Sequence, residues 1–190
     1  MKTGKEKLGK ELRTPLLEED VRSLKIGDIV FLSGVVITAR DAAHKRMVEY
    51  IKAGKPIPVD LRGGVIYHCG PIIKFDEEKM EVVSAGPTTS LRMEEYEPLI
   101  ISRLGVRMII GKGGMGSATI DAMKHHGAVY AAFPGGAGIL AASKIKGIVG
   151  VEWMDLGMPE ALWIFEVKSF GPLVVAIDSH GRSLYTKRNQ

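Results

Sequence analysis

The sequence predicts an α/β fold with additional β structure, and two observations lead to this prediction. In the middle of the chain, short apolar runs such as VRMII and AVYAAF alternate with segments that carry helix signals. Both ends of the chain hold longer runs that are rich in β-branched residues. Strands that alternate with helices favour a parallel sheet, to which the flanking strands add. The chain has 190 residues, and we predict a single domain over residues 11–190 behind a flexible segment of residues 1–10.

Start and stop signals place the elements along the chain. Residues 26–38 predict one or two strands broken near Ser33–Gly34, and the Thr-x-x-Asp pattern that starts at Thr38 predicts a capped helix from Asp41 to Ala53. The later elements, in order, are strands at GGVIYHCGPIIKF and KMEVVSAG, a helix over TTSLRMEEYEPLIISRLG, the strand VRMII, a helix over MGSATIDAMKHHG, the strand AVYAAF, a helix over GAGILAASKIKG, and strands at ALWIFEV and GPLVVAID. The middle of the chain is therefore predicted as three strand–helix pairs.

Composition limits the classes of function. Aromatic residues make up 6% of the chain and the net charge is +4, without the interleaved basic and aromatic stripe that stacks nucleic-acid bases. The apolar runs are too short to cross a bilayer, and the N-terminus lacks the hydrophobic core of a signal peptide, so we expect a cytoplasmic protein that binds neither nucleic acid nor membrane. The only asparagine and glutamine are Asn189 and Gln190. Because these amides are thermally labile, their depletion favours a thermophilic source.

Cys69 is the only cysteine of the chain. One cysteine forms no intrachain disulfide, and alone it holds neither a zinc ion nor an iron–sulfur cluster. Any cluster chemistry would therefore need ligands from another chain.

The glycine-rich stretch MIIGKGGMGSATID contains Gly-x-Gly-x-x-Gly at a predicted strand-to-helix turn. Free backbone N–H groups and the helix dipole favour an anion there, and Lys112 adds a positive charge. A phosphate loop needs Ser or Thr after the lysine, where this chain has Gly113, and a dinucleotide site needs an acidic residue about 20 positions further on, where the chain has AAFPGGAG. A phosphate- or nucleotide-binding module therefore stays as an alternative, as do glycines that only permit a tight turn.

Two other predicted strand–helix junctions also carry a cation. Arg92 lies in the first turn of the helix after SAGPTTS, and Arg40 stands just before the helix that begins at Asp41. A cation in a first turn opposes the helix dipole, so a bound anion would explain Arg92. Because guanidinium grips carboxylate in a two-pronged way, the three junctions together predict a site for a small molecule with more than one carboxylate.

Four motifs in a specific order carry a resemblance to a known family, and they are ARDAAHKR, GPTTSLRM, GKGGM and VEWMDLGMPEALWIFEV. Over nearly the whole chain, the sequence resembles the β subunit of two-subunit class I fumarases and L-tartrate dehydratases, which is equivalent to the C-terminal domain of single-chain class I fumarases. The resemblance implies a swivelling β/β/α domain and hydro-lyase chemistry. It further implies a 4Fe-4S cluster held by cysteines of a separate α subunit, a dicarboxylate substrate oriented by this chain, and an α2β2 or β-dimer assembly.

The resemblance also implies a set of substrate-binding residues, which are Arg40, Arg92, Lys112, Thr89 and Gly113. It places Thr88 near the carbon that loses a proton. A threonine hydroxyl is a poor base at neutral pH and would act only as an alkoxide stabilised by Arg92 or Lys112. In the alternative interpretation, Thr88 caps a helix and hydrogen-bonds the substrate.

The leading hypothesis for the reaction is reversible hydration of fumarate to (S)-malate, with the chain inactive without its α subunit. L-tartrate dehydration is the alternative, because it is the same chemistry with one more hydroxyl on the substrate. A scaffold subunit without site groups is a third possibility.

Several other residues receive structural interpretations. We expect His44 to be a half-exposed surface residue, His68 and Cys69 to pack in the interior, and His125–His126 to cap a helix C-terminus. Candidate supports for the site cations are Asp155, Glu152 and Glu166. Candidate apolar contacts for the α subunit are the segments GMPEALWIF and FPGGAGIL.

Overall fold

A computed structural model describes residues 9–76, 79–134, 136 and 138–185 of the protein. Within these ranges it contains five α-helices and nine strands. The helices are α1 (Glu18–Arg22), α2 (Asp41–Lys52), α3 (Glu97–Leu104), α4 (Ser117–His126) and α5 (Gly138–Lys144). The strands are β1 (Lys10–Arg13), β2 (Ile29–Thr38), β3 (Val65–Tyr67), β4 (Ile72–Asp76), β5 (Lys79–Ser84), β6 (Met108–Gly111), β7 (Val129–Ala132), β8 (Ile145–Glu152) and β9 (Leu162–Ile177). None of the described helices has the length and apolar character that crossing a membrane requires.

Seven strands form the main sheet, in the order β1–β2–β3–β6–β7–β9–β8, and β4 and β5 form a separate hairpin. The long strand β9 pairs antiparallel with β7 on one side and with β2 on the other. Strands β2, β3, β6, β7 and β9 therefore close into a ring. Since the pairs β2–β3, β3–β6 and β6–β7 are parallel, the carboxyl ends of these four strands lie at the same end of the ring.

The core follows the two-residue period of the strands. In β6, Met108 and Ile110 belong to one buried cluster with Trp163 and Phe170, whereas Ile109 belongs to a second cluster. The second cluster includes buried residues of α2, α3 and α4. The three helices thus cover the opposite face of the strands, and this alternation fixes which side chains meet the helices.

The prediction of three strand–helix pairs in the middle of the chain is confirmed, because β5, β6 and β7 are each followed by helical structure. The helix predicted over residues 88–105 is divided. A 3-10 helix over Ser90–Met93 comes first, and α3 begins only at Glu97. The cause is Pro98, which lies in the first turn of α3. Proline lacks an N–H and disfavours helical backbone at the preceding residue, so it starts a helix more readily than it continues one.

Two further segments differ from prediction. The last predicted helix ends at Lys144, and Ile145–Glu152 forms β8 against β9. The tail is a single strand, β9, in place of two. At the other end, residues 1–8 of the segment predicted to be flexible lie outside the described residues, and Lys10 is the first residue of β1.

Candidate active site

The carboxyl ends of the parallel strands bring the predicted junction residues close together. Arg40 follows two residues after β2, and Lys112 directly follows β6. The Thr88 N–H donates to the carbonyl of His68 at 2.7 Å, and Thr89 forms an isolated bridge with Lys112. Arg92, four residues after Thr88, binds Asp41, which directly follows Arg40. Three junctions that are distant in sequence are therefore neighbours in the fold.

Arg40 is the N-cap residue of α2, and Glu160 holds it in place. The Arg40 Nε lies 3.3 Å from Glu160 Oε1. The other oxygen of the same carboxylate accepts the N–H of Ala42 at 2.8 Å. One glutamate therefore binds an N–H group at the N-terminus of α2 and forms an ion pair with the guanidinium. The guanidinium also packs against Gly70, where a Cβ atom would lie 2.6 Å from Arg40 Nη1.

Arg92 is bound to Asp41 through a two-pronged contact. Its Nε donates to Asp41 Oδ1 at 3.0 Å and its Nη2 to Oδ2 at 2.7 Å. The same Nη2 lies 3.2 Å from Thr88 Oγ1, to which it donates. Burial alone would raise the pKa of Asp41, but the hydrogen bonds from Arg92, a backbone hydrogen bond and the charges of Arg92 and Arg40 together hold that pKa below its usual value. Because Asp41 Oδ2 is also 4.0 Å from Arg40 Nε, one ionised carboxylate connects both arginines.

Lys112 is exposed, and its backbone is fixed. Its N–H donates to the Thr88 carbonyl at 3.3 Å, and its own carbonyl accepts the Ser90 N–H at 2.9 Å. Gly113 follows with φ +86°, a left-handed conformation that favours glycine. Within the described ranges, no residue forms an ion pair or a side-chain hydrogen bond with the Lys112 ammonium. The ammonium is therefore the site cation that is free of an internal carboxylate.

The expectation of free N–H groups at the start of α4 is wrong for Gly116 and Thr119, because Glu94 binds the N–H groups of both residues. Its carboxylate accepts the N–H of Gly116 at 2.7 Å, and the N–H and hydroxyl of Thr119 at 3.1 and 2.7 Å. The helix dipole is thus already matched by an internal anion. The glycine motif serves packing instead, since a Cβ on Gly111 would overlap the Ser90 hydroxyl.

A buried cluster lies next to the junctions. Glu97 Oε1 is 2.8 Å from His44 Nε2 and 2.7 Å from His68 Nε2, and all three side chains have 0% exposure. Burial lowers the pKa of His68, against the opposing effect of Glu97. Burial alone would raise the pKa of Glu97, but the charge of His44 and the hydrogen bonds from both rings bring it well below the usual value.

Several structural interpretations from the sequence can now be compared with the contacts. His68 and Cys69 are buried, as predicted, but His44 is buried too, because its ring binds Glu97. Thr38 does not cap α2, since it ends β2 and its hydroxyl accepts the Trp163 N–H at 3.1 Å. Asp155 binds Arg46 and is not a partner of the site arginines.

Sequence reasoning missed the carboxylates that organise the site, which are Asp41, Glu94, Glu97 and Glu160. The chain offered one signal for Asp41, which directly follows Arg40 and faces the cation-bearing junctions. It offered none for the glutamates, because each acts on a segment of another element. Of the two apolar segments proposed as contacts for another subunit, GMPEALWIF contributes Leu162, Trp163 and Phe165 to the core. In FPGGAGIL, by contrast, Ile139 is 79% exposed.

A surface groove of about 610 Å³ lies elsewhere and is lined by Ile51, residues 54–62 and Arg103. It meets the C-terminal part of α2, whereas Arg40 precedes the first residue of that helix. A helix of 12 residues is about 18 Å long. The groove is therefore separate from the junction residues, and size alone does not identify the site.

Comparison with known proteins now adds to this geometry. The family described as "Fumarase C-terminus" matches residues 2–188. The chain belongs to this family. The resemblance inferred from the four motifs is therefore confirmed.

Relatives in the fumarase C-terminal family occur in two chain arrangements. The chain is 44% identical over 181 residues to "L(+)-tartrate dehydratase subunit beta" of Escherichia coli (strain K12), covering 95% of this chain and 89% of that one. It is 46% identical over 176 residues to "Putative L(+)-tartrate dehydratase subunit beta" of Methanocaldococcus jannaschii, covering 92% and 90%. It is also 46% identical over 175 residues to "Putative fumarate hydratase class I" of Geobacillus stearothermophilus, covering 92% of this chain and 33% of that one. The same unit is thus found as a separate subunit and as a third of a longer chain.

Proposed function

We propose that the protein is the substrate-binding β subunit of an iron–sulfur hydro-lyase that hydrates fumarate to (S)-malate and catalyses the reverse reaction. One observation carries the proposal: Arg40, Arg92 and Lys112 come from three separate junctions, Arg92 and the Lys112 backbone both contact Thr88, and Asp41 links Arg92 to Arg40. Two guanidinium groups and an ammonium match a molecule with two carboxylates and a hydroxyl.

The four groups divide the work of binding and orientation. Arg40 and Arg92 bind the substrate carboxylates, with their orientations set in advance by Glu160 and Asp41. Lys112 binds a substrate oxygen, and Thr89 and Gly113 line the same side. Preset side chains lose less conformational freedom when the substrate arrives, so more of the interaction free energy goes into binding.

Thr88 is proposed to lie at the carbon that loses a proton. The Arg92 Nη2 donates to its hydroxyl oxygen at 3.2 Å, which stabilises negative charge on that oxygen. Asp41 shares the charge of the same guanidinium and weakens this effect. Arg92 therefore stabilises negative charge on the Thr88 oxygen most strongly when its contact with Asp41 is weakened. A bound substrate carboxylate or a movement of Asp41 would weaken that contact.

The 4Fe-4S cluster is proposed to belong to a partner α subunit. The single cysteine of this chain, Cys69, is buried with 0% exposure, and burial raises the pKa of its thiol. A buried thiol that resists ionisation does not fit a cluster ligand set. The residues of this chain therefore do not hold the cluster, which would supply a Lewis acid to the substrate hydroxyl from the partner.

L-tartrate dehydration is the second candidate, favoured by the names of relatives that share the length of this chain. The additional hydroxyl would need one more polar contact, which the partner subunit or Lys112 could provide. We further propose a swivelling β/β/α domain in an α2β2 or β-dimer assembly in the cytoplasm of a thermophile.

The test is anaerobic co-purification of this chain with its partner, followed by parallel assays with fumarate, (S)-malate and L-tartrate. Turnover is expected only from the complex, because the cluster is on the other chain. Robust turnover by this chain alone would contradict the cluster-in-partner proposal. A complex that converts none of the three substrates, and is stabilised against heat by a nucleotide instead, would favour the phosphate-binding alternative.

A further inference from the structure

The buried cluster of His44, Glu97 and His68 has no part in the proposed contacts with substrate. One carboxylate oxygen, Glu97 Oε1, accepts hydrogen bonds from both rings. Glu97 Oε2 and His68 Nδ1 are buried and have no hydrogen-bond partner among the described residues. Leaving such atoms unpaired is costly. The cluster is therefore poorly explained by stability alone.

The hydrogen bonds define the protons of the cluster. His44 Nδ1 lies 2.7 Å from the Arg40 carbonyl oxygen, which only accepts, so Nδ1 carries a proton. With Glu97 ionised, His44 Nε2 also carries one, and His44 is a buried cation. His68 donates from Nε2 and is neutral. The cluster is thus an ion pair, Glu97 with His44, plus one neutral donor.

Both histidines are connected to the site through the backbone. His44 is bound to the Arg40 carbonyl through its ring and also through its N–H, at 2.9 Å. His68 accepts the Thr88 N–H on its own carbonyl at 2.7 Å. A change at Glu97 would therefore be felt at Arg40 through one histidine and at Thr88 through the other.

We propose that Glu97 is a positioning residue of the dicarboxylate site. It fixes the ring of His44, which binds the Arg40 carbonyl, and the ring of His68, whose carbonyl binds the Thr88 N–H. This inference rests on the proposed function. A buried ion pair contributes little to stability compared with apolar side chains of similar volume. Its value lies in holding two segments from different junctions in one geometry, where an error of about 1 Å can cost about 100-fold in rate.

The same three side chains are a possible ligand set for a metal ion, with all ligand atoms within 4.8 Å of one another. The distances favour hydrogen bonds. Ligand atoms about 2.0–2.1 Å from a tetrahedral zinc ion are separated by roughly 3.3 Å, whereas Glu97 Oε1 is 2.8 and 2.7 Å from the two ring nitrogens. Protons, not a metal, explain these contacts.

The test is Glu97→Gln in the assembled complex, because glutamine keeps the shape and removes the charge. The hydrogen bond between His44 Nε2 and a charged carboxylate oxygen is thereby replaced by a contact with a neutral amide, which holds the ring less firmly. We expect kcat/KM for the active substrate to fall about 10- to 100-fold. The matched control is Asp178→Asn, at another fully buried carboxylate, which binds Ile26, His180 and Arg182. It should lower the melting temperature and leave kcat/KM unchanged.

Two further variants keep the test decisive if Glu97→Gln fails to assemble. His68→Gln should lower kcat more than it raises KM, because His68 supports Thr88. His44→Gln should raise KM more than it lowers kcat, because His44 supports Arg40. Glu97→Asp, with both histidines retained, keeps the negative charge and should recover part of the kcat/KM that Glu97→Gln loses.

Each outcome has a defined meaning. An inactive wild-type complex would overturn the proposed function and this inference together. An active wild-type complex with unchanged kinetics in Glu97→Gln, or with identical effects in both histidine variants, would overturn this inference alone. The inference alone would also be overturned if elemental analysis found one divalent non-iron metal ion per chain in the wild-type complex and none in Glu97→Gln.

Discussion

Two sides of the candidate site hold their cations in different ways. On the arginine side, which comprises Arg40 and Arg92, Glu160 and Asp41 bind the guanidinium groups. On the lysine side, which comprises Lys112 and the loop up to Gly116, the internal carboxylate of Glu94 binds the helix N-terminus, and the Lys112 ammonium has no carboxylate partner among the described residues. If the proposed function is correct, the arginine side is oriented before substrate arrives, whereas Lys112 must lose rotamer freedom on binding. Similar strand–helix junctions can therefore present a cation in a fixed orientation or as a mobile charge.

The largest effect is expected at Arg92. Arg92→Ala in the assembled complex should lower kcat/KM about 100- to 1000-fold, because it removes a substrate ligand and the donor to Thr88. Arg92→Lys should recover only part, since an ammonium cannot make the two-pronged contact. Steady-state kinetics with fumarate and L-tartrate provide the measurement. The control is Arg103→Ala, because Arg103 is an exposed arginine of α3. Wild-type rates in Arg92→Ala would instead support the hypothesis that this chain is a scaffold subunit without site groups.

A smaller effect is expected on the lysine side. Lys112→Ala should raise KM about 10- to 100-fold, the range expected for one charged hydrogen bond. Lys112→Arg should restore most of the affinity, because this side supplies charge without a preset geometry. KM measured at two salt concentrations tests whether Lys112 acts through its charge, since added salt screens an exposed cation. Lys124→Ala on α4 is the control. If Lys112→Ala lowered kcat and left KM unchanged, Lys112 would not act by binding substrate as proposed.

The two glutamates that cap α2 and α4 should also differ in their effect on the site. Glu160→Ala and Glu94→Ala should each lower the free energy of unfolding by about 1 kcal/mol, because each leaves helix N–H groups unpaired. Only Glu160→Ala should also raise KM, by several-fold, since only Glu160 contacts a site cation. Urea unfolding and kinetics measure the two effects separately. Equal kinetic losses in both variants would show that the sides are not distinct.

The smallest effect on stability near neutral pH is expected from the buried cluster of His44, Glu97 and His68, which is connected to Arg40 and Thr88. His68 and Glu97 both have a lowered pKa in the folded chain. For a group of this kind, stability is fully present above its unfolded pKa and is lost as pH falls toward the folded value. The free energy of unfolding should therefore decline as pH falls below 6.5 for His68 and further below 4.5 for Glu97. Urea unfolding at a series of pH values measures how the free energy of unfolding changes with pH. Glu97→Gln should abolish the decline that occurs below pH 4.5.

The sequence was sufficient for those parts of the site that depend on local signals. Strand ends, hydroxyl residues and a cation within a few positions of each other identified Arg40, Arg92 and Lys112, and the structure brings them together. It was not sufficient for the carboxylates. Glu160 acts on Ala42 over 118 positions, and Asp41 on Arg92 over 51, so their partners are decided by how the strands close into a ring.

The fold shows the same division between local and distant causes. Alternating strands and helices were predicted because their signals lie within a dozen residues. The boundary between α5 and β8 was missed, because pairing with β9 decides that Ile145 begins a strand. The roles assigned to Thr88, Thr89 and Gly113 stay predictions until the variants are measured.

The contact between Arg40 and Glu160 has a consequence for how the protein is made. A ribosome releases Arg40 long before Glu160, which follows 120 positions later along the chain. At about 5–20 residues per second, this interval lasts about 6 to 24 s. During that time the first half of the site exists without the residue that orients it. The nascent chain therefore lacks the ion pair that holds Arg40 until Glu160 has been synthesised.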